Sequence, residues 1–188
     1  GGRATRVVLA DFAGGYIDQL VVLSAGALFE VVWRNSTSIP RVELWQSDGT
    51  AAGTREVAEW PDASGCGWSA WLPPKNSPSA AIFSVQSSCG PLAELWISDG
   101  SAERTRLLRS FPGEVLSIAN GGSSWHGDRY SLASSYDVPT ASQTFTIWRT
   151  NGTSEGTLAV ALLPSDGEAN SEQWLSGATG AEAIYFPW

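Results

Sequence analysis

The sequence predicts an all-β fold, and three observations carry that reading. Helix formers are scarce, with one lysine and no methionine in 188 residues, and no long segment shows a 3.6-residue apolar period. Twenty glycines, ten prolines and clusters of Ser, Thr, Asn and Asp cut the chain into short apolar runs. A segment of about fifty residues also recurs along the chain.

The recurrence is clearest at Val42-Glu43-Leu44-Trp45-Gln46-Ser47-Asp48-Gly49-Thr50 and Ala93-Glu94-Leu95-Trp96-Ile97-Ser98-Asp99-Gly100-Ser101. It returns, weakened, at Thr146-Ile147-Trp148-Arg149-Thr150-Asn151-Gly152-Thr153, so the tryptophans stand 51 and 52 residues apart. A threonine follows each motif at Thr54, Thr105 and Thr157, and then an apolar run. The same pattern is present at Thr5-Arg6-Val7-Val8-Leu9. An aromatic run recurs in step, as Ala27-Leu28-Phe29-Glu30-Val31, Ala81-Ile82-Phe83-Ser84-Val85, Arg129-Tyr130-Ser131-Leu132 and Ala183-Ile184-Tyr185-Phe186.

Each unit therefore holds four strand candidates, in the first unit about Ile17–Leu23, Ala27–Trp33, Arg41–Ser47 and Thr54–Trp60. Four antiparallel strands per unit of about fifty residues predict the blade of a β-propeller, because stacking blades buries both faces of each sheet. About 3.5 units are present: a part unit at 1–12, units at about 13–60, 61–112 and 113–164, and a part unit at 165–188. That phase is compatible with a fragment of a larger ring, a four-bladed ring with an incomplete closing blade, or a ring completed by a partner, and a segment of a longer protein is the favoured reading. Strand alternation puts Leu44 and Gln46 on one face and Glu43, Trp45 and Ser47 on the other, with the motif tryptophan packed between neighbouring blades.

The Asp48-Gly49, Asp99-Gly100 and Asn151-Gly152 pairs form the turn between third and fourth strands, where Asp accepts backbone N–H groups and Gly supplies positive φ. That Asn151 stands where the others have Asp favours a local turn over a calcium ligand. These residues resemble the bacterial ELWxxDGT repeat family. The match runs over residues 43–50, almost as well over 94–101 and loosely over 146–153. Gly53-Thr54 and Gly156-Thr157 also fit the family's habit, while Arg104-Thr105 departs from it. The resemblance implies a long secreted or surface-associated repeat protein with no established catalytic role. The turn is similar, too, to the Asp-box hairpin of sialidase-type propellers, which implies no hydrolase.

Cys66 and Cys89 lie 23 residues apart outside any CxxC or Cys/His metal pattern, which reads as a disulfide or as two buried thiols. In an up-and-down blade their two loops fall at the same end of the sheet, which favours the disulfide and a secreted, cell-surface or periplasmic location. The start at Gly-Gly-Arg reads as a processed chain or a piece of a longer one. A net charge of −8 and scattered basic residues argue against nucleic acid. No apolar stretch reaches the roughly eighteen residues that cross a bilayer.

No catalytic constellation or cofactor fingerprint stands out. The single histidine, His126, falls in a hairpin turn, and the pairs Glu56/Glu59 and Glu168/Glu172 read as solvated surface. Asn35-Ser36-Thr37 and Asn151-Gly152-Thr153 match the glycosylation sequon weakly. The remaining signal is aromatic. Trp60, Trp68, Trp71, Trp125, Trp174 and Trp188 lie outside the motif slot, and Trp68, Trp71, Trp125 and Trp174 are the candidate binding surface. The expectation is a non-catalytic structural or protein-interaction module bound to a partner or to the rest of a longer chain. A glycan-binding lectin of propeller type is the alternative, and an enzyme whose site straddles blades stands third.

Overall fold

The computed structural model describes residues 12, 14–33, 41–60, 66–72, 79–118, 124–125, 127–137, 142–164, 178–179 and 184–185. Most of the part units 1–12 and 165–188 therefore lies outside the described residues. The described chain is all-β, with one short 3₁₀ turn at Ala102–Arg104.

Three antiparallel sheets follow one another. The first has the order β1 (Gly15–Leu23), β2 (Gly26–Trp33), β3 (Arg41–Ser47) and β4 (Arg55–Trp60). The second is β5 (Trp68–Trp71), β6 (Ala81–Ser87), β7 (Leu92–Ser98) and β8 (Arg106–Pro112). In the third, β9 (Glu114–Ile118) and β10 (Ser124–Trp125) lie in succession along one edge of β11 (Asp128–Asp137), followed by β12 (Ser142–Thr150) and β13 (Leu158–Pro164). The third sheet is thus also four strands wide. A two-residue pairing joins β14 (Ala178–Thr179) to β15 (Ile184–Tyr185).

The middle strands are apolar because both of their faces are covered. Leu28 through Val32 are buried without interruption, and so are Ala81 through Val85. One core cluster joins the first sheet (Leu23, Leu28, Val42, Leu44, Trp60) to the second (Ala70, Leu72, Phe83, Val85). Another joins the second (Ala93, Leu95, Leu108, Phe111) to the third (Ala133, Trp148). The sheets therefore stack face to face in chain order.

Each seam is centred on a motif tryptophan. Trp96 meets Trp60 of the preceding sheet edge to face at 5.2 Å, and Trp148 meets Phe111 in the same way at 5.1 Å. Trp45 meets Phe12, which precedes the first sheet, at 5.1 Å. Such pairs contribute about 0.5–1.5 kcal/mol beyond the area they bury. The indole N–H of Trp45 donates to Glu43 at 2.8 Å and that of Trp96 to Glu94 at 2.9 Å, which accounts for the motif's glutamate. Thr146 replaces that glutamate in the third sheet, and the buried Trp148 Nε1 has no partner. Arg109 instead lies over the Trp148 ring, 4.2 Å from its centroid.

The third and fourth strands slip at the same place in every sheet, between Leu44 and Trp45, Leu95 and Trp96, and Ile147 and Trp148. The bulge leaves Val57, Leu108 and Val160 without a ladder partner on the fourth strand.

The turn beyond each slip is a closed hydrogen-bond network. Asp48 Oδ1 accepts from the Thr50 amide at 2.9 Å and its hydroxyl at 2.7 Å, and Ser47 Oγ accepts from the Gly49 amide. Ser47 Oγ also meets Thr54 Oγ1 at 2.7 Å, and that hydroxyl donates to the Thr50 carbonyl. Asp99 and Asn151 repeat these bonds with Ser101 and Thr153. A Cβ on Gly53 or Gly156 would collide with the Asp48 or Asn151 side chain. Arg104 occupies that position in the second sheet, where the chain winds into the 3₁₀ turn and the guanidinium reaches Asp99 at 3.3 Å.

The turn glycines also form part of the seams. Gly100 and Gly152, at φ +92° and +87°, leave 3.0 Å between an ideal Cβ and Gln46 or Ile97 of the preceding sheet. Both a left-handed backbone and close approach thus exclude a side chain there.

Because Asn151 makes with its amide oxygen the bonds that Asp48 and Asp99 make with a carboxylate oxygen, Asn151→Asp is expected to change stability by less than about 0.5 kcal/mol, whereas Asn151→Ala costs about 1 kcal/mol. Urea unfolding of the two variants checks this.

Candidate functional site

The seam between the first two sheets opens, at their first-strand side, into a cavity of about 260 Å³. Tyr16 and Asp18 of β1, Glu30 and Val32 of β2, Trp68, Ser69 and Ala70 of β5, and Gln86, Ser87 and Ser88 at the end of β6 line it, together with Gly67. Backbone register accounts for the convergence. Glu30 shares its face of β2 with Leu28 and Val32, which turns it toward the second sheet.

Glu30 is the unusual residue. It is 1% exposed, its Oε1 accepts the Ala70 amide at 3.3 Å, and its Oε2 has no hydrogen-bond partner. Burial pushes its pKa from 4.5 up to about 7; the Ala70 amide opposes that rise and nearby Asp18 adds to it. Leu44 lies opposite Glu30 on β3. Gln19 braces the facing strand, donating to the Ala70 carbonyl at 3.2 Å and accepting the Leu72 amide at 2.6 Å.

The cavity's other wall is stapled. Cys66 and Cys89 form a disulfide with their Cα atoms 5.2 Å apart, and Ser88 N donates to the Gly67 carbonyl at 2.8 Å. Gly67, Trp68, Ser87 and Ser88 thus line the cavity immediately beside the two half-cystines.

Of the tryptophans named from sequence, Trp68 lies in the cavity wall, half-buried against the first core cluster. Trp71, 40% exposed, stands three residues on and faces the opposite side of β5, so the two do not form one surface. Trp60 is a core residue, 5% exposed and edge to face with Phe83 as well as Trp96. The backbone of Trp125 pairs with Asp128 through β10. The side chain of Trp125, and all of Trp174, Trp188, His126, Glu168, Glu172 and the sequon at Asn35, fall outside the described residues.

Glu56 and Glu59 are exposed on β4, and Arg41 pairs with Glu59 at 3.6 Å and with Glu43. The turn residues Asp48, Asp99 and Asn151 belong to their local networks. The hydroxyl and amide of Thr50 hold the Asp48 carboxyl below its usual range. For Asp99, partial burial opposes ionisation, but the Ser101 donors and Arg104 outweigh it. No group of three His, Cys, Asp or Glu side chains that could hold a metal occurs among the described residues.

Glu30 was not among the residues singled out from sequence. Its signal is a carboxylate inside an apolar run, at the register position held by Ser84 and Leu132 in the other two units. No protein-family model matches this chain, and no curated protein does.

A carboxyl whose folded pKa is raised remains protonated in the folded chain while the unfolded chain ionises. Its destabilising effect therefore grows between pH 4.5 and about 7 and is complete above that window. Glu30→Gln is expected to raise stability at pH 8 by on the order of 3 kcal/mol, and to leave it nearly unchanged below pH 4.5. Denaturant unfolding of both proteins across pH checks this.

Proposed function

We propose that the chain is a propeller-type, non-catalytic interaction module of an extracytoplasmic protein, completed by further blades or by a protein partner. One observation carries the reading. The bulge residues Val57 and Leu108 are 7% and 5% exposed at seams, whereas Val160, at the same bulge of the third sheet, is 48% exposed. Leu158 and Leu162 beside it are 46% and 68% exposed. At the other end of the stack, Ile17, Leu20 and Val22 on β1 are 49–72% exposed. Large apolar side chains gathered on strands at both ends of a stack mark surfaces made to be covered.

Other features support the same reading. Four-stranded sheets stacked in chain order through one recurring contact are what a blade array requires. The resemblance to the ELWxxDGT repeat family agrees with a secreted or surface-attached bacterial protein, and the Cys66–Cys89 bond agrees with an oxidising location. A lectin with one site per blade would need its aromatic residue at equivalent positions. Through the strand ladders, Trp68 corresponds to Gly15 in the first sheet and Glu114 in the third, so the aromatic is not repeated.

Light scattering with intact mass on the non-reduced chain tests this proposal. The expected result is association that grows with concentration, or a co-purifying chain, and its loss in Val160→Asp/Leu162→Asp with the unfolding midpoint retained. A folded monomer of constant size at every concentration would overturn it.

A further inference from the structure

We propose that the cavity between the first two sheets binds a small organic ammonium ion, with the Glu30 carboxylate as its buried counter-ion. The inference does not depend on whether the sheets close into a ring, because both walls belong to this chain.

Three properties of the lining point to that class. The first is the free acceptor. Glu30 is almost wholly buried, and its Oε2 has no partner. An isolated carboxylate in such a place is costly unless it is protonated or paired with a cation. The second is the sign of the charge. Asp18 adds a second carboxylate, and among the described residues the lining contains no lysine, arginine or histidine. An anion is therefore repelled, and a cation of the right size finds its charge unmatched by any internal one. The third is the aromatic pair. Tyr16 and Trp68 come from opposite walls, and ring faces attract ammonium groups, most strongly where water is displaced.

Other occupants fit less well. A hard metal ion needs about six oxygen ligands in a defined shell; no group of three His, Cys, Asp or Glu side chains that could hold a metal occurs among the described residues, and the aromatic rings of the lining supply no hard ligand. A neutral polyol can donate hydrogen bonds to both carboxylates but leaves their charge uncompensated. The volume, about 260 Å³, suits a molecule of a few heavy atoms or the tip of a side chain. The hydroxyls of Ser69, Ser87 and Ser88 and the amide of Gln86 offer acceptors for the remaining N–H donors.

Binding to the ionised carboxylate must displace a proton when Glu30 is protonated. Among the described residues, Asp18 and Tyr16 of β1 are the other titratable groups of the lining; β5 and β6 supply none, and β3 opposes Glu30 with Leu44. Affinity should therefore fall as pH drops below about 7, approaching about tenfold per pH unit.

The test is calorimetric titration of the intact, oxidised chain with ethanolamine, with ethylene glycol as its uncharged analogue and with Nα-acetyl-lysinamide. Ethanolamine is expected to bind and ethylene glycol not to, with proton release near neutral pH. Glu30→Gln should weaken ethanolamine at least about tenfold, and the rim variant Asp18→Asn by a smaller factor. Unchanged circular dichroism in both variants shows that the fold survives. Tighter binding of the lysine analogue would assign the cavity to a partner's side chain, and tighter binding of ethanolamine to a free amine. The proposal fails if no amine gives heat, if ethylene glycol binds equally well, or if folded Glu30→Gln keeps full affinity.

Discussion

The motif tryptophan does two things at once. Its ring meets an aromatic side chain that precedes its own sheet in the chain at a nearly constant 5.1–5.2 Å, through Phe12, Trp60 and Phe111. Its position on the third strand also coincides with the slip that pushes an extra residue out of the fourth strand. The ring contact fixes how far apart neighbouring sheets lie. The slip increases local twist, so successive sheets can meet without splaying. The turn follows directly, and its glycine packs on the neighbouring sheet where a β-carbon would crowd Gln46 or Ile97. Spacing, twist and close approach are thus set within nine consecutive residues.

The three copies of this arrangement differ in informative ways. The third has lost the glutamate that receives the indole N–H, and a cation from the second sheet covers the ring instead. The second has lost the glycine beneath the aspartate and gained an arginine that reaches it from outside. Each loss falls on a different member of the network and leaves the others in place. A contact set made of local bonds can tolerate this, because no one member positions all the rest.

Much of the architecture was legible in the amino-acid order because it is periodic. Strand positions follow from recurring aromatic runs, and the turn follows from Asp-Gly or Asn-Gly at a fixed offset from a tryptophan. The pairing of Cys66 with Cys89 follows from the two loops falling at one end of a sheet. The bulge was hidden, since strict alternation gives no sign that one residue of the fourth strand drops out of register. The cavity was hidden for another reason. Its lining spans Tyr16 to Ser88 and exists only where two sheets face each other. Trp68 was noticed for its bulk and Glu30 passed over for its apolar neighbours, yet their contact with one space depends on stacking. Trp60, which lies outside the motif slot and was not placed on the candidate surface, packs among core rings.

One wall of that cavity is carried by β5, a strand of four residues held on one side only by its ladder to β6. The covalent bond closes a 23-residue loop around this short edge, with Gly67, Trp68, Ser87 and Ser88 inside it. Connectivity as well as packing therefore shapes the space. By thermodynamic reciprocity, an occupant that favours the intact wall makes the bond harder to reduce, and reduction loosens the wall for any occupant by the same free energy. Any free energy by which the bond favours the intact wall would be shared with an occupant of the space that wall bounds.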